Sequence, residues 1–200
     1  MQTREVQRLF VAVSVPDNVK DAMAAAQAEF RRALPGNAVR WTSRSQFHLT
    51  LKFLGNVEPE SVQRLTDGLG GACADFAPLR LRAQGVGFFP NARSPRVLWA
   101  GVSDEAGRLA AVQQAVEGVV REFTAEKPEQ QFAGHVTLGR AREIRRREGD
   151  LLVTAASAMR DRVFGEWLAV ELELVRSELL PSGSRHTVIL RIPLAGGAAA

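Results

Sequence analysis

Residues 47–54 read FHLTLKFL and alternate between apolar and polar side chains. Successive side chains of a β-strand point to opposite faces, so this pattern predicts a half-buried strand. One face should collect the apolar side chains and pack against a helix, namely Phe47, Leu49, Leu51 and Phe53. The other face then carries His48, Thr50 and Lys52, a set of side chains that suits an anion.

The same His-x-Thr pattern returns in HVTLGR at residues 135–140. His135 and Thr137 share one strand face, whereas the apolar residues between and after them point away from it. Eight threonines among 200 residues make two such motifs from three histidines a chance event at roughly half a per cent. The pair is therefore informative where one copy would not be. The repeat of helix, loop and His-x-Thr strand suggests two similar lobes that face each other.

Strand-like and helix-like segments alternate along the chain, and some strands come in hairpin-like pairs. This order predicts an α+β fold rather than a purely parallel sheet. Further strands are predicted at residues 8–15, 39–41, 79–89, 96–102, 166–179 and 185–193. Helices are predicted at residues 18–34, 58–74, 103–123 and 151–160, and the charged stretch 143–149 is either a helix start or a loop. Residues 1–195 are expected to form one domain, followed by a disordered tail at 196–200.

Composition describes an ordinary globular chain of 200 residues, 46% hydrophobic and 24% charged. The net charge of +4 and the pI of about 10.1 favour an anionic partner such as RNA or a phosphate ester. The single cysteine, Cys73, lies among small and apolar residues and is expected to be a packed side chain. No signal peptide or membrane-spanning stretch is found, so the cytoplasm is the expected location.

Two imidazoles and two hydroxyls on strand faces suit phosphoester hydrolysis. Imidazole titrates near pH 6.5, so one histidine can hold a proton while the other accepts one near neutrality. Threonine hydroxyls can donate to phosphate oxygens as negative charge grows on them. The histidines lie far apart in sequence and no Cys/His cluster has zinc-ligand spacing, so no metal or other cofactor is expected. For either motif alone, a structural histidine would be the commoner explanation.

The segments around the motifs make the resemblance specific. The chain resembles the 2H phosphoesterase superfamily and, within it, the bacterial and archaeal RNA 2′,3′-cyclic phosphodiesterases, also called 2′-5′ RNA ligases. The resemblance covers nearly the whole chain and rests on RLFVAVSVP, VRWTSRSQFHLTLKFLGNV, GFFPNARSPRVLWAGV, HVTLGRAR and VRSELLPSGSRHTVILRIPL.

This resemblance implies a bilobal fold, with two pseudo-symmetric lobes whose antiparallel sheets line a central cleft and whose helices lie outside. It implies opening of the 2′,3′-cyclic phosphate at an RNA end to a 2′-phosphate. His48 would be the proton donor to the departing 3′ oxygen and His135 the proton acceptor from water. Thr50, Thr137 and Arg140 would bind the phosphate. The protein is expected to be a monomer without an obligate protein partner.

Arg140 raises a geometric question, because strict alternation puts it on the face opposite His135. It reaches the cleft only if the strand ends or bulges near Gly139; otherwise it is an exposed charge at a strand end. Gly134 stands where the family usually has proline, which is expected to loosen the start of the strand. His186 stands where the family often has tyrosine, and it is expected to be structural or at the cleft edge.

Other residues allow two interpretations. Lys52 either adds positive potential to the cleft or is solvated. Trp41, Phe89 and Trp99 could stack a nucleobase, although aromatic residues in or beside strands are more often core. A basic run could guide RNA by charge or could simply form a solvated face: Arg142, Arg145, Arg146 and Arg147.

Three functions stay open at this point. The first is RNA 2′,3′-cyclic phosphodiesterase, with 2′-5′ ligation as a related activity of the same groups. The second is another 2H activity, on a small cyclic nucleotide or a 2′-5′ oligonucleotide. The third is a non-catalytic RNA-binding module, against which the double motif counts because a pure binder needs no matched acid and base.

Overall fold

The computed structural model describes residues 6–34, 36–128, 131–142, 144–181 and 183–197. Within these ranges the strands are β1 (Gln7–Ser14), β2 (Val39–Trp41), β3 (His48–Val57), β4 (Leu79–Asn91), β5 (Ser94–Ser103), β6 (His135–Ala141), β7 (Val163–Ala169), β8 (Glu171–Leu180) and β9 (Gly183–Pro193). The α-helices are α1 (Asp17–Ala33), α2 (Val62–Cys73), α3 (Arg108–Val120) and α4 (Arg146–Ser157).

The strands form an antiparallel sheet in the order β7-β4-β5-β6-β3-β1-β8-β9, and β2 pairs with the end of β6. Its two halves meet where β3 and β6 pair through Leu49 and Val136. Helices α1 and α4 pack on the half that contains β4 and β7, whereas α2 and α3 pack on the half that contains β3 and β9. The predicted α+β class is confirmed, and each half contributes one His-x-Thr strand to the junction.

The core lies between the sheet and the helices. On α1 the buried apolar residues Val19, Met23, Ala26 and Phe30 recur every three or four positions, so they form one stripe that faces the sheet. On β1 the run Leu9–Val13 is buried without interruption, because this strand lies between β3 and β8 with both faces covered. Phe10 and Ala12 pack with Val175 in a small second cluster, and the Phe10 ring stacks against His48.

The predicted single strand at 166–179 is wrong. The chain forms β7 at one edge of the sheet and β8 in the other half, with Val170 between them. The sequence EWLAVELELV around this point contains no glycine or proline to mark a break. The crossing is set by pairing partners, because β7 pairs with β4 while β8 pairs with β1 and β9.

The ends of several other helices and strands differ from those predicted. The predicted helix from residue 103 begins at Arg108, because Asp104 accepts hydrogen bonds from the Arg108 and Leu109 N–H groups and fixes the turn before it. Helix α4 begins at Arg146, so part of the open stretch 143–149 is helical. Strands β4 and β5 extend to a two-residue turn at residues 92–93, shorter than the turn predicted between them.

Gly196 and Cys73 both contact the rest of the fold. Of the predicted tail at 196–200, Gly196 donates its N–H to the Phe76 carbonyl over 2.9 Å, and residues 198–200 lie outside the described residues. Cys73 is fully buried at the end of α2, as predicted, and burial raises the pKa of its thiol. Among the described helices, none is both long enough and apolar enough to span a membrane.

Candidate active site

A cleft of about 620 Å³ opens over the junction of β3 and β6. Its lining brings together the five residues predicted for the site: His48, Thr50, His135, Thr137 and Arg140. The antiparallel pairing of Leu49 with Val136 sets each histidine at the level of the threonine on the other strand. The two motifs therefore face one space with approximate two-fold symmetry.

In strand β3 the side chains cease to alternate strictly between the two faces after Thr50. Thr50 and Lys52 pair with consecutive residues of β1, which leaves Leu51 as an extra residue in the ladder. Such a bulge turns the following side chains to the other face. Lys52 therefore points into the core and Phe53 lines the cleft, so both were predicted on the wrong face.

Strand β6 has a bulge at the equivalent position, three residues after its histidine. Thr137 and Gly139 pair with consecutive residues of β5, which leaves Leu138 as the extra residue. Arg140 consequently returns to the face of His135 and lines the cleft. The condition under which Arg140 could reach the cleft, a bulge near Gly139, is met.

The same hydrogen bond holds both histidines. Nδ1 of His48 lies 2.6 Å from the Gln46 carbonyl oxygen, and Nδ1 of His135 lies 2.7 Å from that of Ala133. A carbonyl oxygen only accepts, so in both rings Nδ1 carries the hydrogen. Nε2 is then the nitrogen of each ring that can exchange a proton with a ligand.

His48 is closely surrounded by other rings. It stacks on Phe10 with ring centroids 4.8 Å apart, and the ring of His186 meets it at a steep angle at 5.3 Å. Burial, and to a lesser extent the charge of His186, lower the pKa of His48 to about 4, so this imidazole is neutral near pH 7 in the free protein. Burial also lowers the pKa of His186, which lines the cleft.

The ring of His135 packs against two aromatic side chains. The ring centroid of Phe89 lies 4.9 Å away and that of Trp99 lies 6.4 Å away. Trp99 lies across Gly87, where a Cβ would come within 2.3 Å of the indole ring. Phe89 and Trp99 thus support His135 from behind, and of the three aromatic residues considered for base stacking it is Trp41 that lines the cleft.

The start of β6 is tightly packed at Gly134. Its carbonyl accepts a hydrogen bond of 2.8 Å from the Val102 N–H, and a Cβ on Gly134 would lie 2.4 Å from the Val102 oxygen. The loosening expected from the absence of proline is therefore not seen. Glycine lets β5 approach beside Ala133, whose carbonyl holds His135.

Lys52 forms a buried ion pair. Its Nζ lies 3.0 Å from Glu117 Oε1 on α3 and donates to the Lys127 carbonyl over 2.8 Å. The two side chains are only 3% and 13% exposed, so neither interpretation of Lys52 from the sequence was correct. Lys52 fastens β3 to α3 and to the segment that follows α3.

Several cleft residues belong to no motif. Arg8 on β1 and Arg40 on β2 add two exposed guanidinium groups to that of Arg140, and Arg40 is paired with Arg140 across the β2–β6 ladder. The amide of Gln46 donates to the Ser184 carbonyl and links the start of β3 to β9. The three guanidinium groups make the cleft suitable for an anion. The sequence alone did not indicate this contribution of Arg8 and Arg40, because each stands outside any motif.

Potential metal ligands are sparse around the cleft. Within the described ranges, Glu126 is the carboxylate that lines it, together with the three histidines. No three His, Cys, Asp or Glu side chains of those ranges come together in a way that could hold a metal ion. The expectation that no metal is needed stays a prediction.

Comparison with known proteins gives consistent matches. Residues 13–99, which include the first motif, match the family described as LigT like Phosphoesterase. A Thermus thermophilus protein named RNA 2′,3′-cyclic phosphodiesterase is 36% identical over 197 residues, which cover 94% of this chain and 91% of the relative. A protein of the same name from Archaeoglobus fulgidus is 31% identical over 176 residues, which cover 88% and 94% of the two chains.

Solved structures share the fold. The crystal structure of a Thermus thermophilus protein matches with a TM-score of 0.77 at 31% identity, covering 96% of this chain and 100% of that one. The structure of E. coli LigT complexed with 3′-AMP matches with a TM-score of 0.74 at 23% identity, covering 95% and 99%. At that identity the second match concerns the fold alone.

Proposed function

Since the chain belongs to the LigT-like phosphoesterases, a family of the 2H type, we propose that it hydrolyses the 2′,3′-cyclic phosphate at RNA ends to a 2′-phosphate. Relatives named RNA 2′,3′-cyclic phosphodiesterase match it along more than nine tenths of their own length. The observation that carries the proposal is the meeting of two His-x-Thr strands in one cleft.

In the proposed reaction, water attacks the phosphorus of the cyclic phosphate while the bond from phosphorus to the 3′ oxygen breaks. Nε2 of His135 takes a proton from the water, and Nε2 of His48 gives a proton to the departing 3′ oxygen. The hydrogen bonds at Nδ1 leave these two nitrogens available. Solvent then returns a proton to His48 and removes one from His135.

The phosphate would be held by three side chains of the cleft. Thr50 and Thr137 can each donate one hydrogen bond to a non-bridging oxygen, and the fork of Arg140 can donate two. Because these donors are fixed on two paired strands, they are oriented before the reaction begins. Such donors stabilise the negative charge that grows on the oxygens in the transition state.

The low pKa of His48 bears on its role. A group with a pKa of about 4 holds no proton near neutrality, whereas a general acid must hold one. A bound phosphate places negative charge beside the imidazole and favours its protonated form. We therefore include proton uptake at His48 on substrate binding in the proposal; the assignment of His48 as acid and His135 as base rests on the family resemblance.

The same groups could serve RNA joining. If the 5′ hydroxyl of a second RNA takes the place of water, His135 would deprotonate that hydroxyl instead. The product would then be a 2′-5′ phosphodiester, and the reaction would be reversible because the bond energies on the two sides are similar. This ligation is a part of the proposal that needs its own assay, with a 5′-hydroxyl RNA in excess.

The test of hydrolysis uses metal-stripped protein and a short RNA that ends in a 2′,3′-cyclic phosphate. We expect turnover in EDTA to a 2′-phosphate, identified by mass and by chromatography against both monophosphate standards. His48→Ala and His135→Ala should each lower kcat by about 10²- to 10⁴-fold. Thr50→Ala should lower kcat/KM, while Thr66→Ala on α2, which does not line the cleft, serves as the matched control.

Each part of the proposal would be contradicted by a different experimental result. Full activity in both histidine variants would remove the two-histidine mechanism. Activity that EDTA abolishes would require a metal, and a 3′-phosphate product would mean that the 2′ oxygen departs. Binding without turnover on any cyclic phosphate would favour a binding module.

A further inference from the structure

A second groove, of about 850 Å³, lies between the tip of the β4–β5 hairpin and the start of α4. Its lining contains five arginines from two segments that are far apart in sequence: Arg93, Arg96, Arg142, Arg145 and Arg146. The basic run noted in the sequence supplies three of them, whereas Arg147 does not line the groove. The hairpin supplies the other two, so the fold concentrates the charge beyond what the run alone indicates.

These arginines have little to neutralise them. All five are exposed, and within the described residues none of their guanidinium groups forms an ion pair, although the Glu148 carboxylate accepts a hydrogen bond of 2.8 Å from the Arg145 backbone N–H. Asp150 is the acidic residue described in the lining. Cations held together without counter-charges repel one another, and a bound polyanion relieves that repulsion.

The groove begins where the cleft ends. Arg140 lines the cleft and Arg142 lines the groove, so the two sites are separated by two residues along the chain from β6, about 7 Å for an extended segment. Arg142 donates its backbone N–H to the Ala38 carbonyl over 2.9 Å. This hydrogen bond continues the β2–β6 ladder and holds the backbone between Arg140 and Arg142 in place. Arg140 in the cleft and Arg142 in the groove therefore bring guanidinium groups to both sites from one short segment.

We propose that the groove binds phosphates of the RNA strand upstream of the cyclic end, an inference that rests on the proposed function. An RNA whose cyclic phosphate sits between His48 and His135 can continue only in the 5′ direction. Successive phosphates along that strand would meet the guanidinium groups, whose forks match phosphate oxygens. Ile144 and Val153 add apolar surface beside the arginines on which a ribose or base can rest.

The test compares two substrates and two matched double variants. The substrates are a cyclic mononucleotide, 2′,3′-cyclic AMP, and a single-stranded RNA of about a dozen nucleotides with a 2′,3′-cyclic phosphate end. The groove variant is Arg96→Ala with Arg146→Ala. The control is Arg121→Ala with Arg160→Ala, which removes the same charge from exposed positions outside the groove. Arg160 follows the far end of α4, about 18 Å from its start and beyond the screening length of about 10 Å at 0.1 M salt.

For the groove variant we expect KM on the RNA to rise roughly tenfold at 0.1 M salt with kcat unchanged, and the dependence of log KM on log salt to flatten by about 1.4. The cyclic mononucleotide should be turned over as by the wild type, because it does not reach the groove. The control should resemble the wild type on both substrates.

Equal effects in both double variants, or no effect of the groove variant on the RNA, would overturn the inference. Lost activity of the groove variant on the mononucleotide would do the same, because the cleft would then be affected. If the wild type turns over neither substrate, the proposed function fails separately. Fluorescence anisotropy with an uncleavable 3′-hydroxyl RNA then decides about the groove, since only the groove variant should bind it more weakly.

Discussion

The buried pair between Lys52 and Glu117 offers a sharp test of the bulge in β3. We expect Lys52→Met to destabilise the protein by about 3 kcal/mol, because it leaves the Lys127 carbonyl without its donor and the Glu117 carboxylate with only the long 3.4 Å hydrogen bond from Gln113 in a nearly dry site. For a chain of this size that corresponds to a fall in Tm of about 10 °C. Methionine fills a similar volume, so loss of packing contributes little.

The measurement is urea unfolding followed by circular dichroism at pH 7, in a double-mutant cycle with Glu117→Leu. The double variant should recover most of the loss, because the isolated charge is gone. Arg64→Met is the matched control: its pair with Glu122 is 68% and 60% exposed, and its removal should cost under about 1 kcal/mol.

The reasoning would be refuted if Lys52→Met cost no more than Arg64→Met, or if the double variant were as unstable as the sum of the singles. Activity gives a second check. Below its melting temperature Lys52→Met should keep the kcat of the wild type, because Lys52 does not line the cleft. A lower kcat in the folded variant would indicate that Lys52 contributes to the active site.

Three further outcomes are expected. Because the folded chain holds the pKa of His48 at about 4 instead of 6.5, the unfolded chain alone binds this proton as pH falls from 6.5 to 4. The wild type should therefore lose about 2 to 3 kcal/mol more stability than His48→Asn between pH 7 and pH 4 in urea titrations; parallel losses would contradict the burial of the ring. Arg140→Lys keeps the charge but removes the fork, so kcat/KM for a cyclic phosphate should fall about fivefold, and an unchanged kcat/KM would argue against a bidentate contact. Gly134→Ala should lower stability by about 2 kcal/mol and also lower kcat, because its Cβ would lie 2.4 Å from the Val102 oxygen. Gly70→Ala on α2, with nothing within 4 Å of the added atom, should leave kcat unchanged and stability unchanged or slightly higher, and equal effects at the two glycines would refute the packing argument.

Local pattern sufficed for much of the fold. The stripe on α1 and the alternation in the first half of β3 and β6 are consequences of side-chain direction within one element, so they could be predicted without knowing any neighbour. The grouping of His48 with Thr50, and of His135 with Thr137, follows from the same geometry. The break at Val170 could not be predicted, because the same residues would suit one long strand and only the partners β4 and β1 divide them.

The sequence by itself determined the two His-x-Thr strands, the α+β class and the residues that could carry acid–base chemistry. Tertiary structure decided the rest of the site through pairing between strands. A bulge exists only relative to a neighbouring strand, so the extra residues Leu51 and Leu138 were invisible in the pattern. Those two bulges put Phe53 and Arg140 in the cleft and buried Lys52 against Glu117. The physical reason is that local alternation is a property of one strand, whereas register, burial and ion pairing depend on which distant segments lie against it.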